Sequence, residues 1–306
     1  MEFFATALNQ IVSFFVSIVT LLLPLTSSGA TALSPAPQPP ALVQVGNQTQ
    51  ELKIMSFNVL VGGEGEKSPA SRLEGVKQTI LLEMPDSVGL QEANEFWRCT
   101  LGWELRDKYA VACNYGRQLG FSEGSPILYR KDKYVCIAQG WFWLSDRPDI
   151  YSMGWGASVT RLAGWALLMD KSTGFRYYHY NAHFDHISEL ARTNSAALLA
   201  NRINARNQPT VLTGDFNANP SSQAYAYLIA GGLQDSRLLA AQADSGRSYH
   251  GYSGASTSTG DPIDFVMANQ YLRSVSKYAI IHNRFNGIYP SDHFAIVSTL
   301  TMAQRA

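Results

Sequence analysis

Apolar residues recur along this chain in short runs, and most of the runs carry one polar group at or near their end. Residues 53–60 (K-I-M-S-F-N-V-L) predict a strand with Asn58 inside it. An amide there must find partners or cost free energy, although Gly62 and Gly63 also allow a strand-end turn. Residues 71–82 place Leu73, Val76, Ile80 and Leu81 at helical spacing, and Pro85-Asp86 ends that helix. A second strand, residues 87–92, ends in Glu92, and a glycine-rich connection lies between Tyr109 and Arg130. Residues 134–144, 166–169 and 175–183 predict further strands, the last one aromatic and ending in His183. An Ala- and Leu-rich helix over 188–203 carries Arg192 and Arg202. A strand from Thr210 stops at Gly214, a short helix covers 225–229, and residues 245–260 form a Ser/Gly/Thr loop containing His250. The final strands are 262–267, with Asp264 inside, and 289–297, with Asp292 and His293. Strands alternating with few helices predict one α/β domain with mixed sheets.

The stretch 210–220 (T-V-L-T-G-D-F-N-A-N-P) concentrates the chemistry. If strand geometry runs through Phe216, Asp215 and Asn217 point to one face. Taken alone, the string also fits an Asx turn. The wider pattern favours function. Asn58, Glu92, His183, Asp215, Asn217, Asp264, Asp292 and His293 come from six separate strands, which predicts that strand ends converge on one cleft. The types suit phosphate-ester hydrolysis. Glu92 is a hard oxygen ligand for Mg²⁺ or Mn²⁺, the histidines polarise or protonate a phosphate oxygen, and the amides donate to the anion or the nucleophile.

Composition narrows this picture. The 306 residues are 46% hydrophobic and 16% charged, with formal net charge +0. No strongly basic face for nonspecific DNA binding is announced. Cys99, Cys113 and Cys136 lack C-x-x-C spacing, which argues against structural zinc. In an oxidising compartment one pair would bridge, Cys99 with Cys113 being the more local choice. Residues 11–25 are almost wholly apolar and lead to Ala30-Thr31-Ala32, the form of a secretory signal spanning 1–32. Its n-region lacks basic residues, the first being Lys53. An uncleaved membrane anchor is the alternative, disfavoured by short length and Pro24. Residues 33–50 are expected to be a Pro-rich linker, with a sequon at Asn47, and 51–306 the catalytic domain.

The strings S-F-N-V-L, L-Q-E-A-N, N-A-H-F-D-H, T-G-D-F-N-A-N-P, I-D-F-V and S-D-H-F-A, in this order, resemble the motifs of the endonuclease/exonuclease/phosphatase superfamily, whose members resemble deoxyribonuclease I. Gly116-Arg117, residues 123–127, 142–145 and 161–165 resemble a compact secreted or bacterial branch of metal-dependent hydrolases. Ser122-Glu123-Gly124 departs from that branch, which carries an aromatic after the Glu. The resemblance implies a four-layer sandwich, two mixed β-sheets face to face with helices outside. It implies that Asn58, Glu92 and Asp292 hold Mg²⁺ and that Asp215 orients or deprotonates the attacking water. Asn217 positions phosphate and nucleophile, His183 and His293 contact the scissile phosphate, Asp264 buttresses His293, and Glu123 buttresses His183. Arg117 and Arg161 are implied phosphate clamps, while His186, Asp185 and His250 line the pocket.

The expected function is therefore hydrolysis of a phosphodiester by an exported, monomeric, Mg²⁺-dependent enzyme. The partner is a phosphate ester, either nucleic acid or a small phosphorylated molecule, and no obligate protein partner is evident. A phosphomonoesterase or phospholipid headgroup hydrolase is the first alternative. A non-catalytic binding protein on the same fold is the second.

Overall fold

The computed structural model describes residues 33–34, 37, 45–113, 124–254 and 260–305. Among the described residues, thirteen strands form two mixed sheets. The first combines β1 (Val45–Asn58), β2 (Ser87–Gln91), β3 (Tyr109–Ala112), β4 (Ile127–Arg130), β10 (Ala240–Ala243), β12 (Leu272–Ile281) and β13 (Ala295–Arg305), ordered β10-β12-β13-β1-β2-β4-β3. The second combines β5 (Tyr134–Trp143), β6 (Leu162–Asp170), β7 (Arg176–His183), β8 (Thr210–Asp215), β9 (Gln234–Asp235) and β11 (Asp264–Ala268), ordered β5-β6-β7-β8-β11-β9. Helices α1 (Pro69–Glu83) and α2 (Glu95–Glu104) pack on the first sheet, and α3 (Glu189–Arg206) and α4 (Gln223–Ala230) on the second; α5 (Ser236–Leu239) is a single turn.

Strand alternation builds the layers. In β1, Leu52 and Ile54 point between the sheets while Met55 and Phe57 meet Val76, Ile80, Trp97 and Leu101 of the helices. In β8, Val211 points between the sheets and Leu212 joins Leu199 and Ile203. The four long helices each begin on a side-chain cap, with Ser68, Asn94, Ser188 and Ser222 accepting from a backbone N–H three residues on. The expected four-layer sandwich is therefore the observed one.

Four expectations change. Strand β1 starts at Val45, inside the expected linker, because residues 49–56 pair with β13. The last strand starts at Ala295 rather than at 289, which leaves Asp292 and His293 on a loop. Helix α2 and strand β12 were absent from the sequence reading. Finally, Cys99 and Cys113 are not bridged: Cys99 is exposed, and the buried Cys113 thiol, pushed up to about 12 by burial, bonds the Trp165 carbonyl at 2.8 Å.

Between the sheets the packing turns polar towards one end. His179 Nδ1 lies 2.8 Å from Ser87 Oγ, and its Nε2 lies 2.8 Å from Thr213 Oγ1. Thr213 donates to Asn181 Oδ1 at 3.0 Å, and Gln91 donates to the same oxygen at 2.7 Å. This network joins both sheets, and Gly89 makes room for it. A Cβ at Gly89 would lie 2.0 Å from Thr213 Oγ1 and 2.5 Å from Asn181 Oδ1.

Two outcomes follow. Gly89→Ala overpacks the seam and should lower unfolding stability by about 1–3 kcal/mol in urea titration; an unchanged midpoint contradicts this. Burial lowers the His179 ring to about 3 from 6.5, so the unfolded chain gains a proton there that the fold refuses. The stability this ring protects is complete above 6.5 and falls as pH drops toward 3. In His179→Gln, the slope of stability against pH over that window should be shallower by up to ~1.4 kcal/mol per pH unit. An identical slope would contradict the assignment.

Candidate active site

The register of the second sheet assembles the centre. His183, Asp215 and Asp264 are neighbours across β7, β8 and β11. From the facing sheet, Asn58 at the end of β1 donates through Nδ2 to Asp215 Oδ2 and to Glu92 Oε1, both at 3.0 Å. Its Oδ1 accepts from Leu60 N at 2.9 Å. Asn58 thus acts here as a donor that aligns two carboxylates. The metal-ligand role expected for it would use the remaining lone pair of Oδ1.

Glu92 follows β2 with φ 56°, and Leu60 and Asn217 are also left-handed, at 55° and 46°. Such conformations are uncommon outside glycine and gather at functional sites. They aim hydrogen bonds here. Val61 N donates to Glu92 Oε2 at 2.8 Å, and Asn217 N donates to Asp215 Oδ1 at 2.9 Å. The Asx turn and the paired carboxylate and amide expected at 215–217 are therefore one structure.

His293 Nδ1 lies 2.8 Å from Asp264 Oδ2, and its Nε2 lies 3.7 Å from Asp215 Oδ2. Ser248 Oγ accepts from Ile263 N and Asp264 N, both at 3.0 Å, and so fixes the start of β11. Burial would lower the His293 ring, but the charges of Asp264 and Asp215 outweigh it and raise the ring to about 10. Burial would likewise raise Asp215, yet His183, His293, Asn217 N and the Asn58 amide hold it below the usual carboxylate range. The centre therefore holds a carboxylate next to a proton-bearing ring.

His183 Nε2 is 3.5 Å from Asp215 Oδ2. Arg161 Nη1 sits 2.9 Å from its Nδ1, and Asn217 Nδ2 sits 3.0 Å from its Nε2. A neutral imidazole has one acceptor nitrogen, so only one of these two donors bonds the ring at a time. Asn217 also donates to Phe184 O at 3.1 Å, and Arg161 reaches His186 Nδ1 at 3.5 Å. Asp185 does not line the pocket. It accepts from Ser158, Val159, Ile187 and Ser188 and thereby fixes the segment before α3. Burial would raise its carboxyl, but these donors hold it at about 2.

These groups border a pocket of about 420 Å³. Glu92 and Asp292 stand on its acidic side and Arg161, His183 and His186 on its basic side, with Asp215, Asn217 and His293 between. Tyr249 and Ile263 complete the wall. Both are absent from the sequence reading; adjacency to His250 and Asp264 was their only signal. The reverse holds for His250, expected in the pocket. It is 3% exposed and stacks on Phe294 at 4.0 Å between ring centroids, with Tyr289 at 4.6 Å. Burial lowers its ring to about 4, so it serves as an aromatic packing group beneath the loop. Arg117 and Glu123 lie outside the described residues.

The donor set fits a divalent cation at Glu92 and Asp292. Both offer hard oxygens to the same pocket. Burial raises Asp292, His293 opposes that, and the like charge of Glu92 adds to the rise, a repulsion that a cation relieves. The tightest acid–imidazole group among the described residues, Asp215, Asp264 and His293, has candidate ligand atoms within 4.8 Å of one another. There, however, His293 Nδ1 is engaged by Asp264, and the geometry is that of a hydrogen-bonded relay.

Comparison with known proteins places the chain in a family. An endonuclease/exonuclease/phosphatase from Bacteroides vulgatus superposes with a TM-score of 0.76 at 29% identity, over 83% of this chain and 99% of that one. A mannosyl-6-phosphatase from Bacteroides thetaiotaomicron superposes with a TM-score of 0.74 at 28% identity, over 81% and 99%. An uncharacterized protein of Acanthamoeba polyphaga mimivirus is 25% identical over 182 residues, 55% of this chain and 68% of that protein. The model of the Endonuclease/Exonuclease/phosphatase family matches residues 55–293, and the chain belongs to this family of phosphoesterases.

Proposed function

We propose that this protein is a divalent-metal-dependent hydrolase of a phosphate ester carried by a small molecule. The observation that carries this reading is the convergence of Asp215, Asn217, His183 and the His293–Asp264 pair on one pocket bordered by Glu92 and Asp292. In the proposed reaction the phosphate lies between the basic and acidic walls. Asp215 accepts a hydrogen bond from the attacking water and takes its proton as the new O–P bond forms. Asn217 orients water and phosphate. His293, kept proton-bearing by Asp264, and His183, beside Arg161, donate to phosphate oxygens as charge builds. As the new O–P bond forms, the bond to the leaving oxygen opposite breaks, and the departing oxygen takes up a proton from solvent. Mg²⁺ or Mn²⁺ held by Glu92 and Asp292, with Asn58 aligning Glu92, would neutralise charge on the phosphate.

Pocket size favours a small substrate, since about 420 Å³ suits a compact ligand. Tyr249 is 46% exposed, with its ring 4.9 Å from His293, and offers a face for a sugar or base. Similarity to a mannosyl-6-phosphatase supports a phosphomonoester. The phosphodiester reading uses the same chemistry with a larger leaving group. Export through residues 1–32 is a further part of the proposal.

Purified protein should turn over a phosphosugar or a chromogenic phosphomonoester with Mg²⁺ or Mn²⁺, and chelation should abolish turnover. Asp215→Asn should cost about 10²–10⁴ in kcat while the fold is kept. Turnover of diesters alone would replace the monoester reading with the diesterase one. No metal-dependent turnover of either class by a folded protein would overturn both and leave a binding role. For export, N-terminal sequencing of protein expressed from the full chain should find a mature start at Leu33; a retained Met1 contradicts it.

A further inference from the structure

Arg72 lies on α1, with its side chain 1% exposed. A guanidinium has five N–H donors, and backbone carbonyls take up all of them. Nε donates to Lys67 O at 2.7 Å. Nη1 donates to Val59 O at 2.6 Å and Pro290 O at 2.8 Å. Nη2 donates to Leu60 O at 2.8 Å and Gly62 O at 2.9 Å. Trp97 lies beside it, ring centroid 5.1 Å from Cζ, and adds an Nε1 bond to Leu60 O at 3.0 Å.

The far ends of the same peptide groups face the acids. The peptide whose carbonyl is Val59 O has Leu60 N as its donor, and that N–H bonds Asn58 Oδ1 at 2.9 Å. The next peptide accepts from Arg72 at Leu60 O and donates from Val61 N to Glu92 Oε2 at 2.8 Å. Two consecutive peptides therefore run from one buried cation to two groups of the candidate metal side. The Pro290 carbonyl opens the loop that carries Asp292 and His293. We propose that Arg72 is the positioning residue of the acid side of the pocket: it fixes Asn58 and Glu92 through the 59–61 peptides, and the Asp292–His293 loop through Pro290. The cation touches neither carboxylate, so its charge reaches them through polarised peptides and across the protein, where Glu92 and Asp292 both feel it. Lysine keeps the charge but has three donors and no planar fork, so it cannot hold the 59–62 carbonyls and Pro290 together.

This inference rests on the metal-dependent reading above, and its test separates the two. Arg72→Lys is purified and checked for fold by circular dichroism. Mn²⁺ affinity is read by calorimetry, and amide hydrogen exchange is followed over residues 59–62. Leu212→Ala, in the core beneath α3, controls for lost stability. Arg72→Lys should weaken Mn²⁺ binding about tenfold or more and speed exchange at Val61, whereas Leu212→Ala should do neither. Trp97→Phe, which removes one donor to Leu60 O, should shift both readouts the same way by less and serves if the lysine variant does not fold. Unchanged affinity and unchanged exchange in these folded variants would overturn the proposal. Absence of Mn²⁺ binding by the parent would overturn the metal reading, and exchange at Val61 would still decide the role of Arg72 in holding the loop.

Discussion

Everything at this site depends on keeping ionised groups out of water where two sheets meet. Asp215, Asp264 and His293 are buried, and an uncompensated buried ion costs several kcal/mol. Asp215 is compensated by His183 and His293, and Asp264, which has the like charge of Asp215 beside it, is compensated by His293 from the loop before β13. Asp264 opposes Asp215 across β8 and β11, and His183 stands beside Asp215 across β7 and β8. Because side chains alternate along a strand, a one-residue slip would send all three to the helix side. Register, charge compensation and site geometry are thus one constraint.

The interior between the sheets is graded to serve that constraint. Apolar packing by Leu52, Ile54, Val211 and Val266 gives way to Ser56, Gln91, His179, Asn181 and Thr213, and then to the ionised groups. A purely apolar interface up to the pocket would leave Asp215 beside hydrocarbon. The intermediate layer of neutral hydrogen-bonding groups supplies dipoles instead, and its own partners are nearly complete. Gly89 shows how closely the sheets must approach there.

Much of this was legible in the sequence, for definite reasons. Short apolar runs at 53–60 and 210–215 announced buried strands, and a polar residue in such a run marks a group that needs a partner. Strand β12 escaped because its pairing with β13 slips between Leu272 and Ser274 and again between Val275 and Lys277, which breaks the period of two. Helix α2 escaped because its buried face rests on Trp97, Arg98 and Leu101, too few positions to fix a helical period. His250 was misread because a buried histidine among Phe294 and Tyr289 carries the same letter as one in a pocket. Arg72 was invisible for the opposite reason: an arginine on a helix reads as solvent-facing until its acceptors, spread over residues 59–67 and at 290, are brought together by the fold.

The pocket also separates what this fold keeps from what it varies. The proposed catalytic groups come from strand ends and from the tightly bonded segments beside them: Asp215 is donated to by Asn58 and Asn217, and His293 is held by Asp264. Tyr249, Ile263 and His186 come from connecting loops, and Tyr249 and Ile263 join the centre through backbone, Tyr249 bridging to His293 and Ile263 O accepting from Phe216 N. Loops tolerate replacement because few buried contacts depend on them, so the walls can change while the phosphate chemistry stays. A zero net charge fits this division. A net charge of zero offers no overall attraction for a polyanion, so under the proposed function recognition of the ester would rest on the short-range donors Arg161, His183 and Asn217 and on the Tyr249 wall.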